Sequence, residues 1–209
     1  MGDGKKIDKV AVFGLQGTGK SELVNKIFVK DNEYCFLFDP QNEHSEARFS
    51  YVPTHQDDFT KLSAEIDGAL KKIVIPNCNK IENKKKFKEA LDCVVFDEAD
   101  LFFPSGKAMP HYARKFWVDS RHYMLSNLVT ITRRFTDINI YIRDTADHLV
   151  VFKQAGATEL KALESFSKGA AETMKTEIDY DKHNFLYLDR SRKPEIMHSY
   201  KELQQELNK

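Results

Sequence analysis

Eight residues, Gly14 to Ser21, read GLQGTGKS and satisfy the pattern G-x-x-x-x-G-K-[ST] at every fixed position. Residue types in this order do phosphate chemistry. Gly14, Gly17 and Gly19 allow the backbone to curl with φ > 0, so that consecutive N–H groups from Leu15, Gln16, Thr18 and their neighbours point inward at phosphate oxygens. Lys20 reaches the β- and γ-phosphates of ATP, and the Ser21 hydroxyl is placed to ligate Mg²⁺. A second stretch, DCVVFDEAD, ends an apolar run at Asp97 and Glu98. Asp97 suits a Mg²⁺ held through its water shell, and Glu98 suits a general base for the water attacking the γ-phosphate. Taken alone, the second stretch reads equally as a polar strand end; the glycine loop makes the functional reading the better one.

The two motifs also exclude. A guanine-reading N-K-x-D has its nearest match in Asn79-Lys80-Ile81-Glu82, which fails at the last position, and an L-S-G-G-Q signature is absent. The DEAD tetrapeptide invites a helicase, but that architecture needs a second domain, for which too little chain follows Asp97. A small-molecule kinase stays open, although a D-E acid pair is unusual for one.

The flanks supply the elements these residues need. KVAVF (Lys9 to Phe13) predicts a buried strand into the loop, and Glu22 to Phe28 a helix out of it, with Leu23, Val24, Ile27 and Phe28 on one side. Glu33 to Phe38 predicts a second strand ending at Asp39-Pro40, followed by a polar loop, QNEHSEARFS. Phe59, Leu62, Ile66 and Leu70 mark a helix over Asp57 to Leu70, KKIVIP a short strand or extended connection, and the lysine-rich segment Asn79 to Leu91 a surface helix. Cys93 to Phe96 is a strand. A helix from Pro110 leads into the strand Asn127 to Thr132, then a loop and helix, the strand His148 to Lys153, a helix over Thr158 to Lys175, and a strand at Asn184 to Asp189. Pro194 to Leu207 reads as a polar terminal helix, with NFLYLDRSRKPE alternatively a hairpin at the sheet edge. Strands that are nearly all apolar and alternate with helices imply a mainly parallel sheet covered on both faces, an α/β fold.

Bulk properties agree with one globular unit. The chain has 209 residues, 41% of them apolar and 31% charged, with no apolar run long enough to span a membrane. Lys+Arg and Asp+Glu both total 32, which argues against coating nucleic acid by bulk charge while leaving room for a local basic surface. Cys35, Cys78 and Cys93 are widely spaced without a C-x-x-C pair and read as reduced core thiols of a cytosolic-type compartment.

FDP after the second strand, FDEAD, and the stretch DSRHYMLSNLVTITRRFTDINIYIRDTADHLVVF (Asp119 to Phe152) together resemble the FtsK/HerA superfamily of DNA-pumping P-loop ATPases. Within it the chain is most similar to the short genome-packaging ATPases of viruses with internal membranes or jelly-roll capsids. The resemblance covers roughly residues 9 to 153. It implies a single RecA-like (ASCE) P-loop NTPase domain, with residues 1–156 as the ATPase core and 157–209 completing the same domain. It further implies a ring of identical subunits, a hexamer, that moves double-stranded DNA without reading its sequence, with no membrane insertion by this chain. A portal-vertex protein of the capsid is a candidate partner, and the workplace is the host cytoplasm or the packaging vertex of the virion. Arg121 falls where the family has an arginine finger acting on the neighbouring subunit, and Thr132 at the strand-end sensor position where many relatives carry Gln. Arg133, Arg134 and the run Lys84, Lys85 and Lys86 are candidate DNA contacts, Arg133 and Arg134 reading equally as partners of neighbouring acids. Arg143 reads as a structural partner of Asp144 or Asp147, and Trp117 as core or subunit interface. The rivals are a nucleotide-dependent assembly factor and a nucleoside kinase.

Overall fold

The apolar runs of the sequence become the strands of one eight-stranded sheet. The computed structural model describes residues 8–30, 32–44, 47, 49–78, 90–123 and 125–208. In chain order the elements are β1 (Asp8–Phe13), α1 (Lys20–Val24), β2 (Cys35–Phe38), β3 (Phe49–Tyr51), α2 (Phe59–Ala69), α3 (Ile75–Asn77), β4 (Cys93–Phe96), α4 (Ala99–Phe102), α5 (His111–Asp119), β5 (Asn127–Thr132), α6 (Ile140–Thr145), β6 (His148–Val151), α7 (Ala157–Phe166), α8 (Ala170–Thr176), β7 (Phe185–Leu188), β8 (Pro194–Met197) and α9 (Tyr200–Leu207). The sheet order is β3-β2-β4-β5-β1-β6-β7-β8; β1 to β6 run parallel, and β7 and β8 pair antiparallel at the far edge. One strand, β5, lies between the strand entering the glycine loop and the strand carrying Asp97, the arrangement expected of an ASCE P-loop domain.

The strands are apolar throughout because both faces are covered. Val10, Val12, Leu37, Val95 and Ile131 pack on one face with Leu23 and Val24 of α1 and Leu203 of α9. Ala11, Phe13, Phe38, Val94 and Phe96 pack on the other with side chains of α2 and of α4 to α8. All three cysteines are free and buried, as their sequence context suggested. Among the described residues, no helix is long and apolar enough to cross a membrane.

Four expectations are corrected. KKIVIP is helical: α2 continues through a π-helical turn, Leu70–Val74, into α3. The restart at α3 puts Pro76 in a first turn, where its missing N–H is harmless. The stretch Thr158 to Lys175 is two helices, broken at Gly169 with φ +85°, whose N–H the Glu164 carboxylate accepts. Part of the expected polar loop forms β3, a three-residue edge strand. Residues Pro194 to Met197 form β8, paired antiparallel with β7 in the edge hairpin of the alternative reading, rather than the start of a helix, proline being acceptable on an edge strand. Helix α9 begins afterwards, where Ser199 accepts from the Glu202 N–H and the Glu202 carboxylate accepts from the His198 N–H, a reciprocal cap. The lysine-rich segment expected as a helix falls, over 79–89, outside the described residues.

Glu65 on α2 ties β3 to the sheet's cover. Its carboxylate accepts from the Tyr51 hydroxyl at 2.9 Å, the Thr54 N–H at 2.8 Å, the His55 N–H at 3.1 Å and His55 Nδ1 at 3.0 Å. Burial would raise this carboxyl, but the donors from Thr54, His55 and Tyr51 outweigh it and hold the group down to about 2. A depressed acid stabilises above its unfolded pKa and loses that contribution as pH falls through the folded one. Glu65→Gln is therefore expected to lower stability by about 1–3 kcal/mol at pH 7. Thermal melts should show the gap to wild type closing as the pH falls from 4.5 toward about 2.

Candidate nucleotide site

The loop between β1 and α1 is stitched to both neighbouring strands: the Gly14 N–H donates to Thr132 O at 3.2 Å, and the Phe152 N–H to Phe13 O at 2.8 Å. Gly17 and Gly19 hold φ of +79° and +99°, as their place in the motif predicts. Gly14 does not have positive φ, which corrects the expectation for it. Space requires glycine there instead: a Cβ would lie 2.6 Å from Phe152 Cβ and 2.6 Å from Thr18 Oγ1. Within the loop, Lys20 Nζ donates to Leu15 O at 3.1 Å and the Thr18 hydroxyl to the same oxygen at 2.8 Å. Burial lowers the Lys20 ammonium below its usual range, against the opposing charges of Glu98 and Asp97. The lysine of the loop thus lies in the field of both acids at the end of β4.

Those acids arrive on a braced strand end. Phe38 and Phe96 are register partners in β2 and β4, and their rings stack at 4.5 Å with 4° between planes. One residue further along each strand stand Asp39 and Asp97, both buried. Asp97 Oδ1 accepts the Glu98 N–H at 2.8 Å, and Asp97 Oδ2 meets His44 Nε2 at 2.9 Å. Asp39 accepts the N–H groups of Glu43 at 3.1 Å and His44 at 2.9 Å. The hydrogen bond to Asp97 raises the His44 imidazole pKa, against burial. Glu98 adopts the left-handed conformation, φ +46° and ψ +49°, at a cost of roughly 1–3 kcal/mol. Its carboxylate is bound by Arg133, Nη2 at 2.9 Å and Nε at 3.2 Å. Thr132, buried at the end of β5, donates its hydroxyl to Asp100 Oδ1 at 2.7 Å. The candidate ligands for Mg²⁺, Ser21 and Asp97, fit that ion: they are oxygen donors, and Mg²⁺ commonly keeps most of its waters and takes one or two protein groups.

With the acids on the β4–β5 side of the loop, the opposite side is formed by β6, β7 and α9. A cleft of about 260 Å³ lies there, lined by Gly19, Glu22, Phe152, His183, Tyr200 and their neighbours. The segment before β7 also grips the loop from outside. The Tyr180 hydroxyl donates to Gln16 O at 2.8 Å, and His183 Nδ1 meets Thr18 O at 3.1 Å. Asp39, His44, Asp100, Tyr180 and His183 escaped the sequence reading as site residues. Of these, Asp39 and Asp100 carried a signal, the FDP turn and the end of FDEAD.

The other candidates are dispersed. Arg121 sits in a 3₁₀ turn, Ser120–His122, exposed and with Nε 3.4 Å from His122 Nε2. Its charge is felt by Lys9 at the start of β1, so it lies near the amino-terminal edge of the sheet, a strand length of roughly 20 Å from the loop. Arg134 is exposed and approaches Glu159 at 4.0 Å. Lys84, Lys85 and Lys86 lie outside the described residues. Arg143 reaches Asp144 at 3.6 Å and covers the Phe135 ring at 4.7 Å, while Asp147 pairs with Arg190 instead. Trp117 is core, its indole N–H donating to the Thr145 hydroxyl at 2.8 Å.

No protein-family model matches the chain, and no curated protein matches it. Solved structures do. The genome packaging NTPase B204 from Sulfolobus turreted icosahedral virus 2, in complex with AMPPCP, aligns with a TM-score of 0.67 at 22% identity, over 92% of this chain and 97% of that one. B204, the DNA-packaging ATPase from Sulfolobus Turreted Icosahedral Virus, aligns at 0.66 and 20% identity over 92% and 97%. The pCW3 conjugation coupling protein TcpA, monomer form with ATPgS, aligns at 0.60 and 17% identity, over 99% of this chain and 66% of that one. At these identities the likeness is one of fold. The fold is the one implied by the sequence resemblance.

The close approach at Gly14 yields a direct test. Gly14→Ala is expected to destabilise the protein by about 1–3 kcal/mol through overpacking against Phe152 and Thr18. Thermal melts would show the loss without added nucleotide, and an unchanged melting temperature would contradict the tight packing.

Proposed function

We propose that this chain is a Mg²⁺-dependent ATPase whose hydrolysis moves double-stranded DNA, in the manner of a viral genome-packaging motor. The observation that carries the enzymatic part is the meeting, at one edge of the sheet, of a half-buried lysine on a glycine loop with Asp97 and Glu98. The DNA part is supported by the sequence resemblance and by the fold shared, over 92% of this chain, with a genome packaging NTPase.

On this reading Lys20 and the loop N–H groups bind the β- and γ-phosphates. Mg²⁺, held by Ser21 and through water by Asp97, would neutralise charge on the same oxygens. Glu98 accepts the proton of the attacking water, for which its carboxylate must part from Arg133. The cleft beside Phe152, His183 and Tyr200 takes the nucleoside, since the acids occupy the other side of the loop. Residues 157–209 then belong to the same domain as the core 1–156, because β7 extends its sheet and Tyr180 and His183 hold its loop.

Arg121, remote from its own loop, serves the neighbouring subunit of a hexameric ring. Arg134, Lys84, Lys85 and Lys86, with Arg133 once free of Glu98, grip phosphates of the DNA without reading bases. The setting is the host cytoplasm or a virion's packaging vertex, with a portal-vertex protein as a further partner.

Phosphate release measured with and without linear double-stranded DNA tests the enzyme reading. Turnover should rise with DNA and fall about a hundredfold or more in Glu98→Gln, with nucleotide affinity retained. Arg121→Ala should lose turnover as well, and mixing it with Lys20→Ala should restore part of it, which only a finger acting between subunits allows. Turnover indifferent to DNA and to Arg121, or a phosphorylated small-molecule product, would sink the proposal. For the cleft, Tyr200→Ala should weaken ATP binding about tenfold while inorganic tripolyphosphate binds as before, as measured by calorimetry.

A further inference from the structure

We propose that His44 is a positioning residue for Asp97, its imidazole holding the carboxylate in the orientation that receives the hydrated metal of a Mg–nucleotide complex. This rests on the ATPase reading of the site and adds a residue from a polar loop to which the motifs assign nothing.

The geometry is a chain of fixed contacts. Asp97 is 5% exposed, and its two oxygens are separately engaged, Oδ1 by the Glu98 N–H at 2.8 Å and Oδ2 by His44 Nε2 at 2.9 Å. An ionised carboxylate only accepts, so the network assigns the hydrogen to Nε2. The carboxylate torsion of aspartate is intrinsically broad, and with one oxygen held by its neighbour's backbone the imidazole supplies the second anchor. His44 is fixed in turn. It is 7% exposed, and its N–H donates to Asp39 Oδ2 at 2.9 Å. The loop is turned back by Asn42, at φ +54°, whose N–H donates to Asp39 O at 3.2 Å. Because β2 and β4 are paired with Phe38 opposite Phe96, a loop folded onto Asp39 delivers His44 over the end of β4.

Asp39, His44 and Asp97 offer ligand atoms that all lie within 4.8 Å of one another, which invites a reading as a direct metal site. The bonding argues against it. The hydrogen on Nε2 is spent on Asp97 Oδ2, so a cation ligated by Nε2 and shared with both aspartates would break the bond that ties His44 to Asp97. The arrangement is an orienting partner behind a metal-facing carboxylate, a role whose removal typically costs 10–100-fold in metal affinity.

The test is equilibrium binding of a fluorescent ATP analogue, with Mg²⁺ and with EDTA, to the full chain. Wild type should bind more tightly with Mg²⁺. His44→Ala should lose about tenfold of that gain while its affinity in EDTA stays that of wild type. Glutamine places an amide N–H about where Nε2–H sits, whereas asparagine reaches only the Nδ1 position. His44→Gln should therefore recover the gain and His44→Asn should not. A full Mg²⁺ gain in His44→Ala, an equal loss in EDTA, or like behaviour of the Gln and Asn variants would overturn the inference and leave the ATPase reading standing. If wild type shows no Mg²⁺ gain, or Lys20→Ala binds as wild type does, the ATPase reading itself fails.

Discussion

The parallel register of the central strands is the constraint from which the site follows. Phe38 stands opposite Phe96, Phe96 opposite Thr130, and Phe13 opposite Thr132. Strands aligned in this way finish at one edge, so the residues just beyond them, Gly14, Asp39 and Asp97, come together, with Thr132 at the end of β5, without any long excursion of chain. The stacked Phe38 and Phe96 rings, closed in by Phe102 and Phe103, hold two of those ends in apolar packing immediately beneath the charges. A one-residue slip would turn these rings to the opposite face and carry both aspartates away with them.

Four side chains at this edge of the sheet already have partners within the chain. Lys20 has Leu15 O, Asp97 has His44, Glu98 has Arg133, and Thr132 has Asp100. Groups withdrawn from water require this, because an unpaired buried charge costs far more than a paired one. Binding at such a site is an exchange of partners. The left-handed backbone at Glu98 belongs to the same economy: the strain is compensated by the Asp97 carboxylate below and the Arg133 guanidinium above.

The glycine loop and its flanking strand and helix were legible because their residue types are dictated locally, by positive φ at Gly17 and Gly19 and by burial on both faces of β1. The acids of β4 were legible because an apolar run ending in charge has few other uses. What escaped depends on long-range packing. Phe49–Tyr51 becomes a strand because β2 offers an edge, and its exposed residues carry no alternation to betray it. IVIP reads as a strand by composition and is a helix by continuity with α2. His44 carries no local pattern at all; its role is set by Asp39 and by what lies across the sheet. The Ser199–Glu202 cap stands in the sequence as S-x-x-E, a signal passed over in beginning the helix at Pro194, and marks where α9 begins.

The order of the strands in space also sets an order in time. β1 leaves the ribosome before the other strands of this sheet, yet it sits in the middle of it, where Val10 pairs with Val129 on one side and His148 on the other. The loop that follows it then awaits Tyr180 and His183 before the carbonyls of Gln16 and Thr18 find their donors. Contacts this distant along the chain close late and slowly. A growing chain therefore carries its glycine loop for a long stretch of synthesis without the contacts that enclose it, and the loop is fully walled only once Tyr180 and His183 have followed.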